Sequence, residues 1–427
     1  MSKASWYKAL PQISLCLLAF TIPFPYMYGA IATIFLIVSW LVQFQFKTTF
    51  SNLKERKILW LWVGFFLLHA ISYFYSENKD QSLFDLQSKL SILILPVIVG
   101  AGMSITSKQL EQIFLAFVIA MSLISLGCLS QAIYLWQSGA GTHVFFYHDL
   151  INGLEANAVY EAWYTIFSLG ILLFHKWEYY WKGKFKYLKI AFTILQIVFF
   201  VLLSSRMLIL LFFLVLIPFY GKKAVKSFSK VKVAVTAIAL ALLGTSLLVT
   251  DNPIKQRYQN LIQMDTGLAW RQDYHGVEEG QFSNLTLRLF LWRLGYENIS
   301  ENNLWLTGAG NGDAQHLQNE RMADYGIPNM RNPEKWYSPF HNANLHNMYM
   351  QAFVMIGLPG LILMLLIAVL PFFYINKKDN LNAFLIFHIV ALLFFMQEAA
   401  LQTQAGIIYY SFFSSLYWNI VLKKVNN

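Results

Sequence analysis

"NLHNMYMQAFVMIGLPGLILML", residues 344–365, opens on polar side chains and passes within a few residues into an almost wholly apolar run. As a helix that run is long enough to cross the ~30 Å hydrocarbon layer of a bilayer. Similar runs recur along the 427 residues, of which 57% are hydrophobic and 13% charged. A soluble domain carries about 25% charged residues. The chain therefore reads as an all-α integral membrane protein. Two questions stay with the opening stretch: why His346 stands at the lip of a span, and why a long polar segment precedes it.

Window hydropathy places about twelve transmembrane helices, at 11–25, 28–44, 58–75, 90–104, 110–135, 158–174, 187–203, 207–220, 233–250, 348–375, 381–398 and 405–422. The basic N-terminus leads straight into the first run with no small-residue cleavage site, so an uncleaved span is expected. The segment 81–90, "QSLFDLQSKL", fits a short amphipathic helix lying along the interface. Cys16 and Cys128 both fall inside expected spans, which suggests neither a disulfide nor a thiolate metal site. Three domains follow: an N-terminal bundle of about nine helices over 1–250, a folded, mainly helical loop over 251–345, and about three C-terminal helices over 346–427.

Lysine and arginine set the orientation. A cytoplasmic N-terminus makes the basic connectors 47–57, 175–189, 221–232 and 376–380 cytoplasmic, together with the C-terminus. The formal net charge of +10 then records topology and gives no reason to expect nucleic acid as a partner. Arg56 is the only arginine on the inner side; Arg206, Arg257, Arg271, Arg288, Arg293, Arg321 and Arg331 fall outside. A guanidinium grips phosphate or carboxylate with two parallel bonds and stays charged when partly dehydrated. Arginines on an acid-rich outer face point either to specific anion contacts or to salt bridges.

The loop 251–345 contains helix signals. Pro253 follows an Asp/Asn cap, Ser283 or Asn284 caps a helix running to about Ile299, and glycines at 308, 310 and 312 lead into a short helix. Arg293 has Glu297 four residues on, as a surface pair would. The helical neighbours of Arg288 are Asn284, Leu285, Leu291 and Trp292, so its charge needs an anion from elsewhere or must reach water. Alternating glycines serve a tight turn or let backbone approach a ligand. Arg206 follows Ser204 and Ser205 between two apolar runs, as a functional charge or an interfacial anchor. Imidazole exchanges a proton near neutral pH, which suits His346 to general-base work; a hydrogen-bonded cap is the other reading. His341 lies five residues earlier, on a different helical face, and no His-Glu-x-x-His pattern exists, so no metal site is expected. Glu155, Glu161 and Glu398 are other possible bases.

Three blocks, in order, resemble the O-antigen ligase and polymerase superfamily. They are Ser205-Arg206 opening a span, Arg288 with Trp292 followed by Gly308 and Gly310, and His346-Asn347-Met348-Tyr349 leading to Gly357 and Gly360. The resemblance covers roughly 195–370. It implies a metal-independent glycosyltransferase, without cofactors, at the periplasmic face of the bacterial inner membrane. The implied donor is a glycan on undecaprenyl diphosphate and the favoured acceptor is lipid A–core, the ligase reaction. Arg206, Arg288 and His346 are then the catalytic candidates. Ser205, Trp292, Gly308, Gly310, Asn347 and Tyr349 are the substrate-binding ones. The same resemblance accommodates a repeat polymerase or a transferase acting on protein. A twelve-span transporter is the reading from another class, but no internal repeat is visible and the polar features gather in one loop.

Overall fold

A computed structural model of the chain describes residues 3–154, 156–203, 206–211, 265–275, 277, 281–327, 342–374 and 381–425. The described residues are helical and contain no strand. In chain order the helices are α1 (Lys3–Thr21), α2 (Tyr26–Val42), α3 (Phe46–Glu55), α4 (Trp60–Tyr75), α5 (Lys79–Ser88), α6 (Leu90–Leu95), α7 (Ser107–Gln137), α8 (Ala158–Phe174), α9 (Phe185–Leu202), α10 (Arg206–Leu211), α11 (Asn284–Glu301), α12 (Ala314–Asp324), α13 (Met348–Val369), α14 (Asn382–Phe394) and α15 (Gln404–Val425). Among the described residues six stretches are long and apolar enough to cross a membrane: Lys57–Tyr75, Lys79–Ala101, Ser107–Gln137, Phe185–Leu202, Met348–Tyr374 and Gln404–Leu422. The bent pair α2 and α3 makes a seventh if counted as one span. Most of the expected span at 207–220, all of that at 233–250, and the helix expected after Pro253 lie outside the described residues.

The fourth expected span starts earlier than hydropathy places it. Asn78 caps α5 by accepting from the Gln81 amide. The chain then runs through α6 into a π-helical turn at Pro96–Ala101. The segment read as an interfacial helix is thus the first part of a candidate span. Lys89, at the junction, is 1% exposed. Its charge is met by Asp85 at 3.4 Å and by Gln402 Oε1 at 3.1 Å. A hydropathy window counts such a lysine as solvent-seeking and so displaces the boundary.

The chain divides into two compact units that do not follow chain order: Met1–Gln45, Met103–Gln259 and Tyr374–Val390 form one, and Phe46–Gly102, Asn260–Phe373 and Ala391–Asn427 the other. In the first, α7 is the central element. Thr106 and Gln109 form a reciprocal capping box at its start, and α1, α8 and α9 pack along it. Phe114, Phe167, Phe384 and Phe387 make a buried aromatic cluster within this unit.

In the second unit α4 packs on α13, while α15 packs on α6 and the π-turn. Asn419, inside α15, donates to Val99 O, a carbonyl of the π-turn, at 2.8 Å. The described part of the long loop folds into this unit. His69 Nδ1 lies 2.6 Å from Asn311 Oδ1, Tyr75 OH donates to Thr307 O at 2.6 Å, and the Asp313 carboxylate accepts from the Glu77 and Asn78 amides.

One residue pair differs from its sequence reading. Arg293 and Glu297 do meet, at 2.7 Å. Yet Arg293 is buried rather than at the surface, with further bonds to Arg271 O at 2.7 Å and to Tyr325 OH at 2.7 Å. Helical spacing finds the partner but is blind to the short 3-10 helix Thr266–Trp270, which packs on α11 and, with Arg271 just after it, brings two carbonyl acceptors, and to Tyr325 at the end of α12, which brings a hydroxyl.

Candidate active site

α11 begins where Ser283 accepts from the Thr286 amide, and one turn later it presents Arg288. The anion that Arg288 lacks on its own helix comes from beyond α14. Arg288 Nη2 donates to Glu398 Oε1 at 3.3 Å. The other oxygen, Oε2, lies 3.2 Å from His346 Nδ1. One carboxylate therefore joins the guanidinium and the imidazole. An ionised carboxylate only accepts; against it Nδ1 is the donor, and a neutral imidazole then has its lone pair on Nε2. The Glu398 side chain is 12% exposed, Arg288 22% and His346 32%. The acid is thus the least exposed of the three, and the imidazole the most. Arg288 Nε is buried with no hydrogen-bond partner.

The local chain is built to hold this arrangement. Asn347 caps α13, its side chain accepting from the Tyr349 and Met350 amides at 3.0 and 3.1 Å. His346 sits in the left-handed region, φ 44°. That conformation costs a non-glycine residue about 1–3 kcal/mol and persists only when its surroundings dictate it. Here they do: the His346 amide donates to Asn344 Oδ1 at 2.8 Å, and the Leu345 amide donates to Gln351 Oε1 at 3.0 Å. The Trp292 indole N–H holds Leu345 O at 2.9 Å. On the other side, the Met348 amide donates to Phe395 O at 2.7 Å and Tyr349 OH to Leu392 O at 2.9 Å. These bonds anchor the segment that carries Glu398.

The expected residues separate accordingly. Arg288 and His346 come together through Glu398. Trp292, Asn347 and Tyr349 lie in the same cluster, each with a polar group committed to backbone. Gly308 and Gly310 have φ 67° and 89°. A Cβ on Gly308 meets the backbone of Met355 to Gly357, and one on Gly310 meets Ser76 and Tyr75. The close approach that these glycines permit is therefore to protein. Arg206 opens α10 in the first unit. Its side chain, Ser205, His341 and Glu155 lie outside what is described. Glu161 is buried in α8 of the first unit. Glu398 was only one of several acids in the sequence; its signal was a carboxylate at the end of an otherwise apolar run.

The other described arginines of the loop have their own acids: Arg321 pairs with Glu301, and Arg271 lies 3.9 Å from Asp265. Asp273 accepts from the amide of His275 at 2.9 Å, and Glu278 and Glu279 lie outside the described residues. Among the described residues no three His, Cys, Asp or Glu side chains gather as metal ligands would.

Arg288 with Trp292, and His346 at the head of α13, lie within residues 191–365, which match the family described as O-antigen ligase. The chain carries an O-antigen ligase family segment. The match begins in α9 and runs into the second half of α13. No curated protein matches the chain. The match covers less than half of the chain, and what it supports is a membrane enzyme of the glycosyltransferase type acting on glycans. Glu398 lies beyond the matched residues, and only the fold returns it to them.

Proposed function

We propose that the protein transfers a glycan from undecaprenyl diphosphate to a hydroxyl of lipid A–core, at the periplasmic face of the inner membrane. In this reading the chain spans the membrane about twelve times with both termini cytoplasmic and residues 251–345 outward. The observation that carries the reading is the shared carboxylate: Glu398 bridges Arg288 and His346 beside the segment matched to the ligase family.

The acceptor oxygen attacks the anomeric carbon, and the bond from that carbon to the diphosphate breaks. The hydroxyl proton passes to His346 Nε2, and the bonding pair leaves on the diphosphate oxygen. As the imidazole gains charge, Glu398 stabilises it through Nδ1–H. Arg288 offers the growing negative charge the N–H groups not engaged by Glu398. Such prepositioned donors are worth about 10²–10³ in rate apiece. A single displacement inverts the anomeric centre.

The test is transfer in vitro from a defined lipid diphosphate donor, offered lipid A–core or a second donor molecule, with and without chelator. The expected result is a chelator-insensitive glycan–core product. Arg288→Ala and His346→Ala each lower it about 10²-fold or more while the proteins still accumulate in membranes. Elongation of the second donor in place of the core makes the enzyme a polymerase. Solute movement across a vesicle without any new glycosidic bond removes the transferase reading.

A further inference from the structure

The second unit contains a cleft of about 430 Å³ whose wall is dominated by carboxamides. Asn78 and Gln81 reach it from the start of α5, Gln315 from α12, Gln351 from α13, and Gln402 from the turn before α15. Asn344 also faces it, and Asn344 Oδ1 holds the His346 amide. Gln351 holds Leu345 through Oε1. The cleft and the chain that sets the imidazole therefore share a wall.

A carboxamide offers a planar pair, one acceptor and two donors, without charge. Neighbouring hydroxyls of a sugar ring are matched by that pair. Among the described residues no arginine or lysine lines the cleft, whereas Asp85 and His316 do. The nearby cation, Lys89, is buried and held by Asp85 and by Gln402 Oε1. A phosphate entering there meets the Asp85 carboxylate among the described residues, whereas Arg288 offers a guanidinium. The Lys89 bond also fixes which end of Gln402 is left over: its Nε2 is buried and has no hydrogen-bond partner. An unsatisfied buried donor is costly, and a ligand oxygen entering the cleft removes that cost.

We infer that this cleft is a sugar subsite that reads hydroxyl groups of an uncharged glycan residue, separate from the guanidinium that holds the diphosphate. The inference rests on the glycosyl-transfer reading above. The glycan belongs either to the donor or to the acceptor; the chemistry is common to both.

The full-length protein in nanodiscs carries the test. Gln81→Ala with Gln315→Ala alters the rim, and Gln402→Glu removes the buried donor while keeping an oxygen for Lys89. Transfer is followed while donor and lipid A–core are varied in turn. Binding of the donor and of bare undecaprenyl diphosphate is measured without turnover. Each variant is expected to raise KM for one glycan substrate about tenfold, with kcat and binding of the bare lipid little changed. A rise confined to the donor places the donor's sugar in the cleft; a rise confined to lipid A–core places the acceptor's sugar there. Unchanged KM for both substrates in variants that keep the parent melting temperature overturns the inference, as does an equal loss of bare-lipid binding. If the parent protein makes no glycosidic bond, the functional proposal fails. The difference between glycosylated and bare lipid binding then still decides whether the cleft reads sugar.

Discussion

Glu398 accepts from a guanidinium on one oxygen and faces an imidazole across the other, so its replacement disturbs both partners. A Glu398→Gln variant keeps the volume and loses the charge. We expect its transfer rate to fall about 10²-fold or more, with His346→Ala falling about 10²–10⁴-fold. If the two residues act as one unit, the double variant is no slower than His346→Ala alone. A clean multiplication of the two losses, measured in the same transfer assay, separates their roles. Arg288→Lys tests the fork: a single ammonium cannot keep Glu398 and also present a planar pair to phosphate. Its turnover is expected well below the parent's, and parental turnover removes the bidentate argument. At this scale the sequence reached Arg288 and His346 but stopped short of their connector. A carboxylate fifty-two residues beyond His346 leaves no periodic trace on either helix, because only the path of α14 carries it back.

At the scale of elements, α13 is the instructive one. Its hydropathy announces a single span, yet Ile356 and Gly357 break the helix, with Gly357 at φ 67°. The turn before α12 fills the break: Ala309 and Gly310 donate to Val354 O and Met355 O at 2.8 and 2.9 Å, and Leu358 donates to Trp305 O at 2.8 Å. Gly357→Ala imposes the left-handed strain, about 1–3 kcal/mol, and drives a methyl into the backbone of Leu306. A lower melting temperature in detergent is expected, and an unchanged one argues against the break. Trp292→Phe keeps the ring and deletes the bond to Leu345 O. Its expected signature is turnover reduced about tenfold or less with donor binding retained, since the loss is one of aim. The glycines and Pro359 were legible as irregularities. What they serve was not, because the pairing joins segments about fifty residues apart and depends on backbone atoms that every residue shares.

For the whole molecule, apolar runs made the helical membrane class plain, whereas the grouping of helices was hidden. Hydropathy is a property of each segment; which segments share a unit depends on contacts such as Asn311 with His69 and Asn419 with Val99. The outward assignment of the long loop remains a matter of charge balance and is open to direct measurement. In a chain with Cys16 and Cys128 replaced by alanine, a cysteine at Asp324 is expected to react with an impermeant maleimide added to cells with opened outer membranes. A cysteine at Lys182 is expected to react only after lysis. The reverse pattern inverts the orientation and with it the proposed face of reaction. The stitched break in α13 also bears on how the protein can be dissected. Peptide groups bared by a helix interruption have no water to turn to among lipid chains, and here the neighbouring turn supplies their mates. Excising the loop as an independent ectodomain would strip the span of these mates and leave the fragment's own amides dangling, so neither piece is a sound starting point for reconstitution.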